Sequence, residues 1–357
     1  MKLELPAERV RALPVQLIDM GDGVIAKRGR IEVRIRGEHA SRVLAALLAA
    51  AREGTTREEL ADMFSAPDRP SVEALVGHLI ARGFLVPDDG TAVLPERESA
   101  LDLFHWHFGL LPPEPVRRLA TQRIHILGIN HISLRLAQTL RAAGAERVEL
   151  VDHPLLRNLA LFSAAGDPLS DRWPMDLGVP LRRGGGAESF DPGAVDCLVV
   201  TSDFGGAELL REWNELSVLH GIPFFPVLLQ DLVGSVGPLV IPGETACFEC
   251  LRLRQASHLR DPRGERAAEA VAFEGQGVCG FHPAMPAVVA EVAAFELTRF
   301  FVLGPPLWRV GTVIEVNLLG TEMRSRKVLR LPRCPVCSSL RRTPSVALVS
   351  AAGEEER

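Results

Sequence analysis

Two Cys-x-x-Cys pairs are the residues of this 357-residue sequence whose spacing points most directly to chemistry. Cys247 and Cys250 form the first pair, and Cys334 and Cys337 form the second. Each pair directs two sulfur atoms at one point, and two pairs complete the tetrahedral thiolate shell of a structural Zn²⁺ site. Disulfides or a redox dithiol are the alternatives, which are disfavoured without a secretory signal or a thioredoxin-like context. The spacing therefore predicts a structural zinc site.

The two remaining cysteines are isolated. Cys197 lies in an apolar segment and is expected to be a buried strand residue. Cys279 lies in the glycine-flanked segment 275–280 and has two interpretations, an inert loop thiol or a thiolate that attacks an acyl adenylate. The sequence offers no neighbouring base that would activate the thiol, which favours the inert form.

A predicted strand-turn-helix lies where α/β proteins bind nucleotides. Ile124–Gly128 and Val148–Asp152 are predicted strands around a helix at Ser133–Ala143, which together predict a parallel βαβ unit. Such a turn normally contains several glycines, because the backbone must approach a phosphate at the helix N-terminus. Only Gly128 is present, and Ile129, Asn130 and Ile132 add β-carbons at positions where phosphate needs open amides. We therefore expect no ATP in this chain.

The end of the second predicted strand has two interpretations. Asp152 stands where an acidic residue typically binds ribose hydroxyls, or it turns the chain before Pro154.

Other apolar segments extend the α/β pattern. The further predicted elements are strands at Asp196–Thr201, Pro223–Leu229, Leu239–Pro242, Gly311–Leu319 and Lys327–Leu331, and a long helix at Ala287–Leu303.

The N-terminal region predicts a separate small domain. Strand-like alternation covers residues 15–36, and a capping box at Thr56 and Glu59 begins a short helix. Helices are also predicted at Ser41–Ala51 and Ser71–Arg82, and wing strands at 83–86 and 92–94. Together these elements predict a winged helix-turn-helix over residues 1–95, in the usual domain size range.

The intervening and terminal segments complete the domain plan. Residues 96–120 are predicted to be a linker, with a helix at Arg97–Phe108 followed by a Pro-rich stretch. His105, Trp106 and His107 lie in this helix and are expected to pack between domains. Residues 121–345 form the predicted α/β domain, and residues 346–357 a flexible tail.

Composition limits the classes of function. Hydrophobic residues make up 47% of the chain and charged residues 24%, which is typical of a soluble globular protein. The net charge of −5 gives no general electrostatic reason to bind nucleic acid. No apolar signal segment and no run long enough to span a bilayer is visible. We expect a cytoplasmic protein that binds neither nucleic acid nor a membrane.

The order of these motifs resembles the ubiquitin-activating-like (E1-like, ThiF-type) adenylyltransferases of bacterial sulfur-carrier systems. The resemblance covers about residues 120–340 and is carried by Arg123–Asp152, Asp196–Asp203, Gly237–Gly243 and both cysteine pairs. It implies a Rossmann-like E1 domain in which the cysteines hold structural zinc. It also implies a nucleotide site containing Gly128, Asp152 and the metal-binding Asp203, of which this sequence would retain only a vestige.

A narrower resemblance covers nearly the whole chain. A winged helix, a Trp-bearing connecting helix and a ThiF-like body with an eroded glycine loop resemble the leader-peptide-binding partners of YcaO cyclodehydratases, which take part in thiazole and oxazole formation on peptides. The resemblance implies that the winged helix binds the leader of a precursor peptide. The YcaO partner would perform the ATP-dependent chemistry, and relatives of this kind often form homodimers.

The expected peptide groove lies between a strand and a helix. Ile31–Arg36 is a candidate edge strand to which an extended peptide adds by backbone hydrogen bonds, while helix Ser71–Arg82 supplies side-chain pockets. Arg34 and Arg36 would face an acidic leader, or they are solvated edge charges that prevent aggregation. The predicted groove residues are Ile31, Val33, Arg34, Ile35, Arg36, His78 and Arg82.

Two functions are compatible with these motifs and resemblances. The favoured one is a non-catalytic adaptor, with no catalytic residues of its own, that delivers a precursor peptide to a YcaO-type enzyme. The rival is an E1-like adenylyltransferase that activates a carboxylate as an acyl-AMP. DNA binding ranks third, because the predicted recognition helix contains only His78 and Arg82 as basic residues, beside Glu73.

Overall fold

The computed structural model describes residues 9–95, 99–163, 165–169, 179–183, 190–230, 232–264, 267–268, 280–304 and 310–339. The chain divides into two compact units, the first ending at Arg118 and the second beginning at Leu119. Cys279 and the predicted tail at 346–357 lie outside the described residues. Within the described part of the chain, no helix has the length and apolar character needed to cross a bilayer.

The first unit combines helices with two small antiparallel sheets. One sheet has the order β2-β3-β4 and the other β5-β1-β6. Its elements are β1 Arg9–Ala12, β2 Gln16–Asp19, β3 Gly23–Arg28, β4 Ile31–Arg36, α1 Ala40–Ala50, β5 Thr55–Thr56, α2 Arg57–Asp62, α3 Arg69–Ala81, β6 Leu85–Pro87 and α4 Ala100–His107, followed by α5 Glu114–Ala120.

Periodicity predicted the core of this unit correctly. Val24 and Ala26 of β3 and Val33 of β4 pack in one cluster with Leu47 of α1 and Val76 of α3. The side chain of Thr56 accepts a hydrogen bond from Glu59 N, and Glu59 Oε2 accepts one from Thr56 N, which confirms the predicted capping box.

The second predicted wing strand is wrong, because residues 92–94 form no strand. Strand β6 pairs instead with β1, which the sequence did not predict. The four residues of β1, RVRA, alternate between charged and apolar types, but burial does not follow this alternation because Arg11 is buried in spite of its charge. The Arg11 guanidinium lies 2.9 Å from Asp88 Oδ2, so an ion pair makes burial of this arginine possible.

The linker helix packs within the first unit. Ser99 and Asp102 form a capping box at the start of α4. Trp106 is fully buried in a small cluster with Leu13 and Val86. His105 is also buried, with 3% of its surface exposed, and burial lowers the pKa of this imidazole while Asp102 opposes the shift.

The second unit is an α/β structure with a large sheet, as predicted. The described strands have the order β14-β13-β12-β11-β10-β7-β8-β9. The five strands β11, β10, β7, β8 and β9 pair in parallel, and β12, β13 and β14 are joined to this group by antiparallel pairing. Its elements are β7 Arg123–Leu127, α6 His131–Ala142, β8 Arg147–Asp152, β9 Leu181–Arg183, β10 Cys197–Ser202, α7 Ala207–His220, β11 Phe224–Gln230, β12 Val233–Val236, α8 Phe248–Ala256, α9 Ala284–Leu303, β13 Thr312–Asn317 and β14 Glu322–Lys327.

Two predicted strands of this unit need correction. The segment predicted at 239–242 forms only one bridge, between Val240 and Phe224, because Pro238 precedes the segment and Pro242 ends it. The strand predicted at 327–331 is instead β14, which ends at Lys327. Beyond it, the carbonyl of Leu329 accepts a hydrogen bond from the Arg254 side chain. The segment after Lys327 therefore contacts α8 and does not extend the sheet.

Gly234 explains how a long helix packs closely on the sheet. A Cβ atom at this position in β12 would lie 2.3 Å from Val289 Cγ2 of α9. Helix α9 contacts both β11 and β12 in this region, and it also contacts α6. The glycine therefore allows the helix to approach the sheet at a distance that any side chain would prevent.

Candidate functional site

The four cysteines of the two pairs converge as predicted. Their Sγ atoms all lie within 4.8 Å of one another. The Sγ atom of Cys247 lies 3.9 Å from that of Cys250 and 3.6 Å from that of Cys334, and Cys250 lies 3.5 Å from Cys337. A tetrahedral Zn²⁺ site with bonds of about 2.3 Å needs sulfurs about 3.8 Å apart. The described donor set fits a zinc ion.

Neighbouring groups join the two halves of this cluster. Cys247 immediately precedes α8 and Cys250 lies in its first turn, while the second pair lies in a C-terminal turn. Arg330 donates from Nη1 to Gly243 O at 2.7 Å and from Nη2 to Cys337 O at 2.8 Å. This guanidinium therefore connects the segments that carry the two pairs, a supporting role common around structural metal sites.

The isolated Cys197 is a structural residue of β10. It is fully buried, and burial raises the pKa of its thiol. A buried thiol whose pKa is raised is a poor nucleophile. The structure therefore confirms the buried position predicted for Cys197.

Gly128 makes the turn between β7 and α6 possible. Its φ of +101° lies in the left-handed region, and a Cβ there would lie 2.6 Å from Thr201 O. Asn130 follows as a fully buried cap of α6, and its Nδ2 donates to both the carbonyl and the Oγ1 of Thr201 at 3.0 Å. These hydrogen bonds connect the turn to the end of the adjacent parallel strand β10.

Each backbone N–H from Gly128 to Ser133 is hydrogen-bonded inside the chain. The acceptors are Val151 O for Gly128, Leu156 O for Ile129, Ser133 Oγ for Asn130, Asp203 Oδ2 for His131, and Asn130 Oδ1 for both Ile132 and Ser133, at 2.9 to 3.1 Å. These amides are the groups with which such a turn binds phosphate. An incoming phosphate would have to displace these hydrogen bonds.

Asp203 places a carboxylate at the N-terminus of α6. Only 2% of its surface is exposed, and its Oδ2 accepts the backbone N–H of His131 at 3.0 Å. The same oxygen lies 2.9 Å from His131 Nδ1, and both carboxylate oxygens accept from Asn158 Nδ2 at 3.0 Å. A negative charge is favourable at a helix N-terminus. Asp203 thus supplies, from within the chain, the anion that this position favours.

Asp152 is also bound within the chain. Its two oxygens accept from Arg157 Nε at 2.7 Å and from Nη2 at 2.6 Å, in a two-pronged ion pair. This hydrogen bonding raises the pKa of Arg157, while partial burial acts against the shift. The Arg157 guanidinium also lies 4.8 Å from the ring centre of Phe162. Ribose hydroxyls could reach the Asp152 carboxylate only in competition with this arginine.

Sequence reasoning brought Gly128, Asp152 and Asp203 to this end of the sheet but missed their partners. Asn130 had a readable signal, because Asn followed by Ser three residues later is a helix-capping pattern. Arg157 lies five residues after Asp152 and Asn158 lies 45 residues before Asp203, and neither pair follows a motif. Folding alone brings these side chains together.

The predicted groove residues lie on one strand and one helix of the first unit. Among the described strands, β4 pairs only with β3 and is therefore a sheet edge. Val33 is buried and Ile31 and Ile35 are partly buried in the core cluster, whereas both arginines of the strand are exposed. His78 and Arg82 are exposed on or directly after α3. No hydrogen bond among the described residues joins these basic side chains to one another.

Two proteins of known structure, MccB and the heterocyclase TruD, have folds similar to that of this chain. MccB from E. coli gives a TM-score of 0.66 at 16% sequence identity, covering 92% of this chain and 97% of that chain. MccB was also solved with ATP and, as the microcin C7 biosynthetic enzyme, with N-formylated MccA. The heterocyclase TruD gives a TM-score of 0.59 at 18% identity, covering 92% of this chain and 42% of that chain.

Comparison of the sequence alone gave no relative. No family profile matches the chain, and no curated protein matches it. The agreement with MccB and TruD is therefore one of three-dimensional structure at low sequence identity. It shows that this chain has the fold of MccB, in agreement with the α/β class predicted from the sequence.

Proposed function

We propose that this protein is a non-catalytic adaptor that binds the leader of a ribosomally made precursor peptide and presents it to a YcaO-type cyclodehydratase for azoline formation. The observation that carries the proposal is the hydrogen bonding of the turn at the start of α6. Each backbone N–H from Gly128 to Ser133 already has an acceptor within the chain. A scaffold with this fold and without an open phosphate site is suited to binding a peptide, not to activating it.

Charge and hydrogen bonding both oppose ATP at this turn. Losing a buried hydrogen bond costs about 1 kcal/mol, and a donor left without an acceptor costs about 1–3 kcal/mol. The Asp203 carboxylate is 2% exposed and would lie beside the incoming phosphate charge. Like charges at close range in a site of low dielectric repel strongly unless a metal ion bridges them. Phosphate binding therefore requires a rearrangement that the internal hydrogen bonds resist.

The first unit supplies the proposed peptide-binding surface. We interpret it as a winged helix over residues 1–95, in which an extended leader adds to the β4 edge and contacts α3. Residues 96–120 then link it to the E1-like domain at 121–345. The solved MccB complex with MccA and the fold shared with the heterocyclase TruD both support a peptide-directed function.

A titration tests the proposal. Synthetic peptides encoded by the short reading frames next to the gene are labelled with a fluorophore, and their polarisation is measured with the purified full-length chain. We expect one peptide to bind with Kd below about 100 μM, which corresponds to about −5.5 kcal/mol. Adding the chain to the neighbouring YcaO enzyme with ATP should increase the loss of water from that peptide, measured by mass spectrometry. The absence of peptide binding would refute the adaptor function.

The alternative is an adenylyltransferase that forms an acyl-AMP. One observation favours it. The structural match with MccB extends over nearly the whole length of MccB, and MccB was solved with ATP. Exchange of labelled pyrophosphate into ATP, with Mg²⁺ and the bound peptide, separates the two functions. The adaptor predicts no exchange above background by the isolated chain. Robust exchange would establish the adenylyltransferase instead.

The proposal includes the physical state of the protein. We propose one Zn²⁺ per chain at Cys247, Cys250, Cys334 and Cys337, a homodimer, and a cytoplasmic location in which the thiols stay reduced. Light scattering after size exclusion measures the oligomeric state directly. A monomer at micromolar concentration would contradict the dimer without affecting peptide binding.

A further inference from the structure

Arg28 is a buried cation at the end of β3. Only 8% of its surface is exposed, and its Nη2 donates to Gly83 O at 2.6 Å, just after α3. Its guanidinium carbon lies 5.6 Å from the ring centre of Phe84. These contacts fix the side chain between the β3–β4 hairpin and the end of α3, the two elements of the proposed peptide groove.

Two nitrogen atoms of this guanidinium have no hydrogen-bond partner. Nε and Nη1 of Arg28 are buried and find no acceptor in the part of the chain that the structure describes. An arginine stays charged in proteins, so the unpartnered donors leave a buried charge only partly compensated. Burial lowers the pKa of Arg28, in agreement with this incomplete compensation.

Arg11 in the same unit shows how this chain normally buries an arginine. Its exposed fraction is 7%, close to that of Arg28, but its Nε donates to Asp88 Oδ2 at 2.9 Å. The other two nitrogens donate to the carbonyls of Arg52 and Glu53. Arg11 therefore has a carboxylate and two further acceptors, whereas Arg28 has one carbonyl.

The register of the hairpin connects Arg28 to the edge strand. Arg28 pairs with Ile31 across β3 and β4, and cross-strand partners project to the same face of a sheet. Val24 and Ala26 share that face of β3, because side chains two residues apart point the same way. A peptide added to β4 would place every second side chain on this face, in line with Ile31 and Arg28.

We propose that Arg28 is a specificity residue that binds the carboxylate of an Asp or Glu side chain from the peptide docked on β4. This assignment rests on the proposed peptide-binding function and names one chemical requirement of that peptide. The hairpin is strongly basic, with Glu32 as its only acidic residue between positions 27 and 36. The basic residues of that segment are Lys27, Arg28, Arg30, Arg34 and Arg36.

Binding at Arg28 requires a local movement. Nε and Nη1 are inaccessible in the free protein, so an incoming carboxylate must displace a covering side chain. We expect the half-buried, cross-strand partner Ile31 to move, with its side chain replaced by the side chain of the peptide. A charge-assisted hydrogen bond then satisfies one of the two unpartnered donors of Arg28. Such a bond is stronger to a carboxylate than to a neutral amide, so the contact is selective for acidic residues.

Selection from a peptide library tests the assignment. Randomised peptides of about 12 residues, enough to cover a typical strand and its flanks, are displayed on phage and selected on the full-length chain. We expect an acidic residue at one fixed position of the binders. Replacing that Glu by Gln should weaken binding to the wild-type chain about tenfold or more. The same replacement should change binding to the Arg28→Met variant less than about twofold, by the logic of a double-mutant cycle.

Matched variants control for folding. Arg30→Met removes an exposed arginine two residues away and should leave the acidic preference unchanged. Arg28→Met should keep its Tm, because methionine matches the aliphatic stem and removes an uncompensated buried charge. If that variant unfolds, Arg28→Lys retains the charge without the planar fork, and a reduced acidic preference is expected.

The outcomes separate this assignment from the peptide-binding function. Binders without a fixed acidic position, or an equal Glu-to-Gln effect in wild type and Arg28→Met, overturn the role of Arg28 and leave peptide binding intact. Failure to select any binder overturns peptide binding and the role of Arg28 with it.

Discussion

Asp203 Oδ2 lies 3.0 Å from the backbone N of His131, at the first turn of α6. A carboxylate from the end of one parallel strand thus lies on the helix that follows a neighbouring strand, where related α/β folds bind a phosphate. The internal carboxylate satisfies the helix dipole and the imidazole together, since His131 Nδ1 lies 2.9 Å from the same oxygen. The same contact therefore stabilises the start of α6 and occupies the amide at which such a helix would bind an anion.

Removal of this carboxylate should be costly for stability. Asp203→Ala leaves the His131 N–H and the Asn158 side-chain amide without their acceptor, and we expect the free energy of unfolding to fall by about 2–4 kcal/mol. Urea denaturation followed by circular dichroism measures the change. Asp191→Ala is the matched control, because Asp191 also accepts a backbone N–H, from Gly193 at 2.9 Å, but is exposed. A loss no larger than that of the control would contradict the structural role of Asp203.

Replacing a cysteine of the cluster should remove the metal and the stability together. Cys334 is fully buried, and Cys334→Ser is expected to reduce bound zinc from about one per chain to below about 0.2, with a large drop in Tm. Inductively coupled plasma mass spectrometry measures the bound zinc, and thermal unfolding measures the change in Tm. Cys197→Ala removes an equally buried thiol outside the cluster and should retain the zinc. Zinc bound equally by both variants would contradict the four-cysteine site.

Local sequence signals account for much of this structure. The two cysteine pairs predicted their cluster because each pair is set by one short turn, so only two segments had to meet. The strands Cys197–Ser202 and Phe224–Gln230 were recognisable because nearly every residue in them is buried. For the cysteine cluster and these two strands, local sequence patterns were therefore sufficient to predict the structure.

The failures have physical causes as well. All six residues of β14 are exposed, so the strand has no alternation of apolar residues to reveal it and forms through backbone pairing with β13. The internal acceptors at the α6 turn were invisible for another reason. Asn158 and Asp203 meet only because two loops end at the same edge of the sheet. The sequence showed that Gly128 is the only glycine of the 128–133 turn, but it did not show which side chains bond to the amides of that turn.

Two buried histidines and one half-buried histidine should make the protein sensitive to acid. Burial is the main cause that lowers the pKa values of His105, His125 and His153. The unfolded chain therefore binds protons at these residues more readily than the folded chain, so stability is present above the unfolded pKa of about 6.5 and is lost as the pH falls through the lower folded pKa values.

Denaturation at several pH values tests this expectation. The free energy of unfolding should fall between about pH 7 and pH 5, by about 1 kcal/mol or more for each pKa unit by which a histidine is shifted. His105→Gln removes one of the three groups and should make this dependence shallower. A pH dependence in that variant as steep as that of the wild type would exclude His105 as a contributor.

Reversing the charge of the edge strand should weaken peptide binding. Arg34 and Arg36 are exposed on β4, and the double variant Arg34→Glu/Arg36→Glu is expected to raise the Kd for an acidic leader about tenfold or more at low salt. The difference should shrink as ionic strength rises, because exposed charges are screened within about 10 Å at 0.1 M salt. Fluorescence polarisation at two salt concentrations measures both effects.

The exposed edge strand β14 provides the control for this variant. Arg324→Glu/Arg326→Glu makes the same change of charge on β14, where both arginines are exposed and lie in the second unit. We expect this control to bind the peptide with unchanged Kd. Equal weakening by the two double variants would mean that the net charge of the chain, rather than the β4 edge, attracts the leader. Tight binding by both would assign Arg34 and Arg36 to the alternative role of charges that prevent edge-to-edge aggregation.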